Sequence, residues 1–287
     1  MRIAVMQGRL LPPSDGRFQC FPRKHWREEF PLAAEAGLDA IEWIYDSPGE
    51  SDNPLGTDNG LAEVRLLSEK CNIAVVSVCA DYFMECPLAK ATAAESPGES
   101  QDRINKLLWL LDRCKLAGVR RVVLPFVDNS RIDSDAEEAQ VVQVLRCILG
   151  HAEKADIELH LETSLDPQHF SSLLAKLPHP YLKANYDSGN SASLGYDVRE
   201  EIAAYGDRIG SVHLKDRIRG GGTVPLGTGT AEIPVLLSQL FRIGYKGDFV
   251  MQIARGEAGK ELAWIRHNRE LVLSQLQAAG FVFGANR

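Results

Sequence analysis

The sequence predicts a closed (β/α)8 barrel, and three observations carry that prediction. Eight short runs rich in β-branched residues alternate with amphipathic stretches along the chain. Several helical stretches end on glycine just before the next run, as in "AEAGLDA", "KLAGVRR" and "RIGYKGD", where a left-handed residue closes a helix. The first run leads into "MQGRLLPPSDGRF", which lacks the GxGxxG turn of a doubly wound dinucleotide-binding sheet. A chain of 287 residues, 45% hydrophobic and 25% charged, suits one such barrel and can bury its core.

In chain order the strand candidates are "IAVMQ" (3–7), "AIEWI" (40–44), "AVVSVCA" (74–80) and "RVVLPF" (121–126). They continue with "IELHLET" (157–163), "LKANYD" (182–187), "GSVHLKD" (210–216) and "DFVMQI" (248–253). Each is short enough for a barrel strand and apolar enough to be covered on both sides. Between them, "HWREEFPLAAEAG", "QDRINKLLWLLDRCKLAG" and "DAEEAQVVQVLRCILGHAEKA" space their apolar residues as helices do. The Ser-, Gly- and Asn-rich segment after Asp187 reads as a loop, as do "AESPGESQ" (94–101) and "RGGGTVPLGTGT" (219–230). No linker or low-complexity segment divides the chain, so residues 1–287 are expected to form one domain.

Composition removes several function classes. A formal net charge of −7 argues against sequence-independent nucleic-acid binding, which needs a basic stripe. No run of 18 or more apolar residues is available to span a membrane. "MRIAVMQGRL" has no apolar signal region or cleavage site, and a cytoplasmic location is expected. The six cysteines form no CxxC pair and read as reduced thiols rather than metal ligands. "HWREEF" and the C-terminal helical segment offer surfaces on which a homo-oligomer could form.

Barrel active sites are assembled at the carboxyl ends of the strands, so those ends are where chemistry is sought. Glu162 ends the fifth run, Asp187 the sixth, His213 lies near the end of the seventh, and Gln252 near the end of the eighth. Glu42 sits in the second run and Asp81 follows the third, and both are read as substrate contacts at the rim. A lone carboxylate at a strand end more often caps a loop, and a lone histidine is more often a satisfied core residue. Four consecutive strands each delivering an oxygen or imidazole to one rim predict a cation between them. One imidazole with carboxylate and amide oxygens suits Mn, Mg, Co or Zn without choosing among them.

With those residues in view, the sequence resembles the xylose isomerase-like barrels known as sugar phosphate isomerases/epimerases. The motifs "MQGRL", "FVDNS", "NYDSGNSASLGYD", "VHLKDR" and "VPLGTG" carry the likeness and point to an "MQGRL" subgroup. The resemblance implies one divalent metal ion held by a residue from each of the last four strands. Glu162, Asp187 and His213 match the first three places, and Gln252 stands where the family usually has glutamate. It also implies substrate contacts at Asn190, where ketose epimerases carry a histidine, and at Arg217 or Arg219.

The resemblance further implies a small sugar or sugar phosphate as partner. Glu162 is the candidate base, since a glutamate arm can ligate through one oxygen and take a proton on the other. Proton return to a neighbouring carbon gives isomerisation, return to the opposite face gives epimerisation, and loss of a β-hydroxyl gives dehydration. Lys215 shares the strand face of His213 and is read as a substrate contact, or as the partner of Asp216 or Glu162. The Gly-rich loop after the seventh run is read either as a flap meeting an anion or as tight turns. Two other activities stay open: a non-catalytic sugar-binding barrel, and an endonuclease-like phosphodiesterase, which would need a His-rich zinc cluster.

Overall fold

In the computed structural model, which describes residues 1–90 and 98–283, every predicted run forms a strand. These are β1 (Ile3–Met6), β2 (Ala40–Ile44), β3 (Ala74–Cys79), β4 (Arg121–Phe126), β5 (Glu158–Thr163), β6 (Leu182–Asp187) and β7 (Ile209–Leu214). A two-stranded antiparallel ribbon of β8 (Asp216–Arg217) and β9 (Thr223–Val224) follows, and β10 (Phe249–Met251) completes the set. β1 to β7 and β10 pair in parallel and close on themselves, β10 lying between β7 and β1. Closure leaves no sheet edge to protect. The helices cover the outside, so the strands are buried on both faces and need no polar alternation.

Two irregularities set the register of the rim. In β6–β7 the pairing shifts between Ala184 and Asn185: Ala184 faces Ile209, but Asn185 faces Ser211 and Asp187 faces His213. Regular pairing would have set Asp187 against Val212, so the bulge brings the two polar residues level. The residue passed over is Gly210, where a Cβ would lie 2.5 Å from His160 Cε1. A second shift, between Ile41 and Glu42, pairs Glu42 with Ser77 in β3.

The helix predictions hold with trimmed ends: Glu29–Glu35, Glu99–Ala117 and Asp135–Ala155. Gly118 closes the second of these at φ 78°, as its position implies. Two loop expectations need correcting. Residues 94–97 of "AESPGESQ" lie outside the described residues, and Glu99 to Gln101 form the first turn of a helix. The segment after Asp187 is the helix Ser188–Leu194. Most of its residues are poor helix formers, but Asp187 caps it and four of its residues are buried. Among the described residues, no helix is long and apolar enough to cross a membrane.

Candidate active site

Asp187 has two tasks, one for each oxygen. Its Oδ1 accepts the Gly189 N–H at 2.9 Å and the Asn190 N–H at 2.8 Å, satisfying orphan donors of the helix it caps. That leaves Oδ2 facing the barrel axis, 3.8 Å from His213 Nδ1 and 2.6 Å from Lys215 Nζ. Glu162 Oε2 reaches the same imidazole nitrogen, 3.2 Å away. One donor atom from each of Glu162, Asp187 and His213 falls within 4.8 Å of the others, and all three residues are buried. The structure thus brings the first three predicted ligands together.

Glu42 stands behind this group. Its side chain is 0% exposed; Oε1 lies 2.7 Å from His213 Nε2, and Oε2 accepts the Ser77 hydroxyl at 2.6 Å. A carboxylate behind a ring nitrogen orients the imidazole and leaves its other nitrogen for the site. Burial opposes ionisation of Glu42, but the His213 ring and the Ser77 hydroxyl outweigh it and hold the carboxyl below its usual range. For His213 burial works against the proton, yet Glu42 first, then Asp187 and Glu162, raise its pKa well above normal. Burial also opposes ionisation of Asp187, and Lys215 and His213 more than compensate, holding it well below the usual carboxylate range. Three carboxylates around one imidazole attract positive charge, whether it is a ring proton, a lysine ammonium or a divalent cation.

A cation fits this donor set. Hard carboxylate oxygens and a borderline imidazole suit the divalent ions named above. Asp187 Oδ2, Glu42 Oε1 and both His213 nitrogens are buried without a hydrogen bond of regular geometry, close though their neighbours are. Gln252, just past the end of β10, gives a different picture. Its Oε1 accepts from Lys215 Nζ at 2.9 Å, and its Nε2 donates to Gln19 Oε1 at 3.0 Å. Lys215 therefore pairs with Asp187 and Gln252 rather than with Asp216 or Glu162. A Cβ on Gly189 would lie 2.6 Å from Lys215 Cγ, so the lysine can pass only because that residue is glycine.

Gln19 was not singled out in the sequence, because nothing in "GRFQCF" marks a rim residue. It spans the mouth of the barrel, donating to Asp81 Oδ2 at 2.8 Å and accepting from Arg9 at 3.0 Å. Asp81 is 6% exposed, and burial foremost lifts its pKa to about 6. Arg9 and Arg255 both donate to the Phe18 carbonyl, at 3.0 Å each, and so fix the loop that carries Gln19.

On the other flank, Asn190 Nδ2 donates to Glu162 Oε1 at 2.6 Å, and its Oδ1 accepts from Arg217 at 3.1 Å. Arg217 also donates to the Gly221 carbonyl, at 3.1 Å and 2.9 Å, tying the β8–β9 ribbon together. Arg219 is exposed and packs on Gly195, where a Cβ would lie 2.6 Å from its Nε. In the segment after the ribbon, the Gly227, Gly229 and Ala231 N–H groups donate to the buried Asp216 carboxylate.

Residues 30–271 match the xylose isomerase-like TIM barrel family. The chain belongs to it. An Escherichia coli (strain K12) relative, the putative L-ribulose-5-phosphate 3-epimerase SgbU, is 24% identical over 275 residues, covering 90% of this chain and 93% of its own length. A solved L-ribulose 3-epimerase superposes with a TM-score of 0.75 at 16% identity, covering 97% of this chain and 95% of that one. A xylose isomerase-like barrel from Mycobacterium smegmatis, solved in complex with magnesium, has a TM-score of 0.72 at 18% identity and covers 97% of each chain. These solved members share the barrel. Distant relatives in the family are sugar epimerases, whereas the "MQGRL" subgroup is a finer likeness than these matches resolve.

Proposed function

We propose that this family member is a divalent-metal-dependent isomerase or epimerase of a small ketose or ketose phosphate, moving a proton at the carbon beside the carbonyl. The observation that carries the reading is the convergence of Glu162, Asp187 and His213 at the rim, with donor atoms within 4.8 Å of one another. These three residues would hold the cation. When bound, it supplies Lewis-acid polarisation of neighbouring sugar oxygens.

The rest of the chemistry belongs to side chains. Glu162 takes the proton, its carboxylate held by amide donors on both oxygens. Glu42 is walled off behind His213 and orients it rather than reaching substrate. Gln252 cannot accept a proton near neutral pH, so in our reading Glu162 works alone and shuttles the proton between adjacent carbons. Epimerisation would need a second group on the opposite face, such as Lys215 or Asp81. Lys215 offers its ammonium to a substrate oxygen from the opposite flank, with Asp81 beyond Gln19 as the other titratable rim group.

The epimerase names among the relatives support a ketose, and they suggest L-ribulose and its 5-phosphate as the first substrates to try. Interconversion followed by NMR should disappear on chelation and return with manganese. A second reading, a sugar-binding barrel without catalysis, is favoured by Gln252 standing where the family has a carboxylate. Metal retained with no ketose or ketose phosphate altered would decide for it.

A further inference from the structure

The interior of such a barrel is ordinarily filled by branched apolar side chains. Here the bulge between β6 and β7 places three buried polar residues in a column beneath Glu162. Asn185 Nδ2 donates to Glu162 Oε2 at 2.9 Å, and Ser211 Oγ donates to Asn185 Oδ1 at 2.6 Å. His160 Nδ1 lies 2.7 Å below the same hydroxyl, and its Nε2 lies 3.0 Å from Glu158 Oε2 at the far end of the barrel. Asn185, Ser211 and His160 are 3%, 1% and 0% exposed, a placement that destabilises the fold unless each polar group is satisfied.

We propose that Asn185, backed by Ser211, is a positioning residue that fixes the Glu162 carboxylate for proton transfer. The inference rests on the reading of Glu162 as the base. A carboxylate only accepts, so the amide edge facing Glu162 must be Nδ2, and Oδ1 must turn to Ser211. Asn190 repeats the logic on the other oxygen. Its Oδ1 faces Arg217, which cannot accept, and its Nδ2 therefore faces Glu162 Oε1.

Each oxygen of the base is thus pinned by an amide whose direction is set by a group behind it, and rotation of the carboxylate is blocked. The two oxygens also differ in surroundings. Oε2 faces His213 Nδ1 at 3.2 Å, on the side of the candidate ligands, while Oε1 faces Asn190. The clamp assigns the proton to Oε1 and keeps Oε2 on the histidine side. A base that could spin would exchange these roles and lose alignment with the carbon it deprotonates.

The test uses Asn185→Leu, which keeps the volume and removes both hydrogen bonds, and Ser211→Ala, which removes only the backing hydroxyl. Asn185→Leu should lower kcat by about 10–100-fold with KM for the ketose unchanged, the scale seen when groups supporting a site are removed. Ser211→Ala should lower kcat by about fivefold, the worth of one ordinary hydrogen bond, and it covers the case in which the leucine variant does not fold. In a crystal structure of Asn185→Leu, the Glu162 carboxylate should have turned and lost its contact with Asn190. In Ser211→Ala, it should be displaced less.

A fall in melting temperature with kcat per folded molecule unchanged, or a Glu162 that keeps its orientation in both variants, overturns the proposal. If the wild-type protein turns over no ketose, the reading of the reaction fails on its own, and the crystallographic result alone judges the clamp.

Discussion

Asp187 caps a helix with one oxygen and, in the proposed site, holds a cation with the other, and the two roles can be separated by substitution. Asparagine caps a helix about as well as aspartate, because its side-chain oxygen accepts the same N–H groups, but it carries no charge. Asp187→Asn should therefore melt near the wild-type temperature and lose its divalent metal on dialysis. Asp187→Ala should lose metal and also about 1 kcal/mol of stability, the usual worth of a cap. Metal analysis after dialysis, read beside thermal unfolding, checks both, and an asparagine variant that keeps full metal would remove Asp187 from the ligand set. The sequence made this residue visible because a strand ended on an unpaired carboxylate. Asn185 was equally visible in principle, since it shares a strand face with Asp187. A buried amide, though, carries no sign of its role until the group beyond it is known.

Among the elements, the helix Glu29–Glu35 holds a buried carboxyl away from the rim group. Glu29 is 0% exposed, accepts the Gly8 N–H at 2.5 Å, and has its pKa lifted by burial from 4.5 to about 8. Between those two values the folded chain keeps a proton that the unfolded chain has released. Raising the pH through that window must then lower the stability of the fold. Glu29→Gln should flatten the decline in melting temperature from the acid side to about pH 8, and parallel wild-type and variant curves would contradict the assignment.

The strands and long helices were legible because their apolar spacing is local. The helix Ser188–Leu194 was not, since its stability comes from the Asp187 cap and from burial rather than from its own composition. The bulge beside Asn185 was hidden for a related reason. It depends on Gly210 yielding space to His160 from a strand two places away around the barrel, and no periodicity records that.

Across the whole molecule, the rim is closed over its own chemistry. Glu162, Asp187, Lys215 and Gln252 are each 8% exposed or less, and Gln19 crosses the mouth from the loop after β1. Gln19 hydrogen-bonds Asp81, Arg9 and Gln252, groups of the kind that bind sugar hydroxyls. The barrel and three of its rim residues could be read from the chain because strand ends converge by topology. Gln19 and the pairing of Lys215 with Gln252 arise only when distant loops meet.

The central claim is that Glu162 alone moves a proton beside a ketose carbonyl. It is tested most directly by turning over the ketose in deuterated water with manganese-loaded wild-type and Glu162→Gln protein. Wild type should carry part of the original hydrogen into product, and the variant should be slower by about 10²–10⁴-fold, the usual contribution of a positioned base. Full solvent label with inversion at a single carbon, or a variant as fast as wild type, would contradict it.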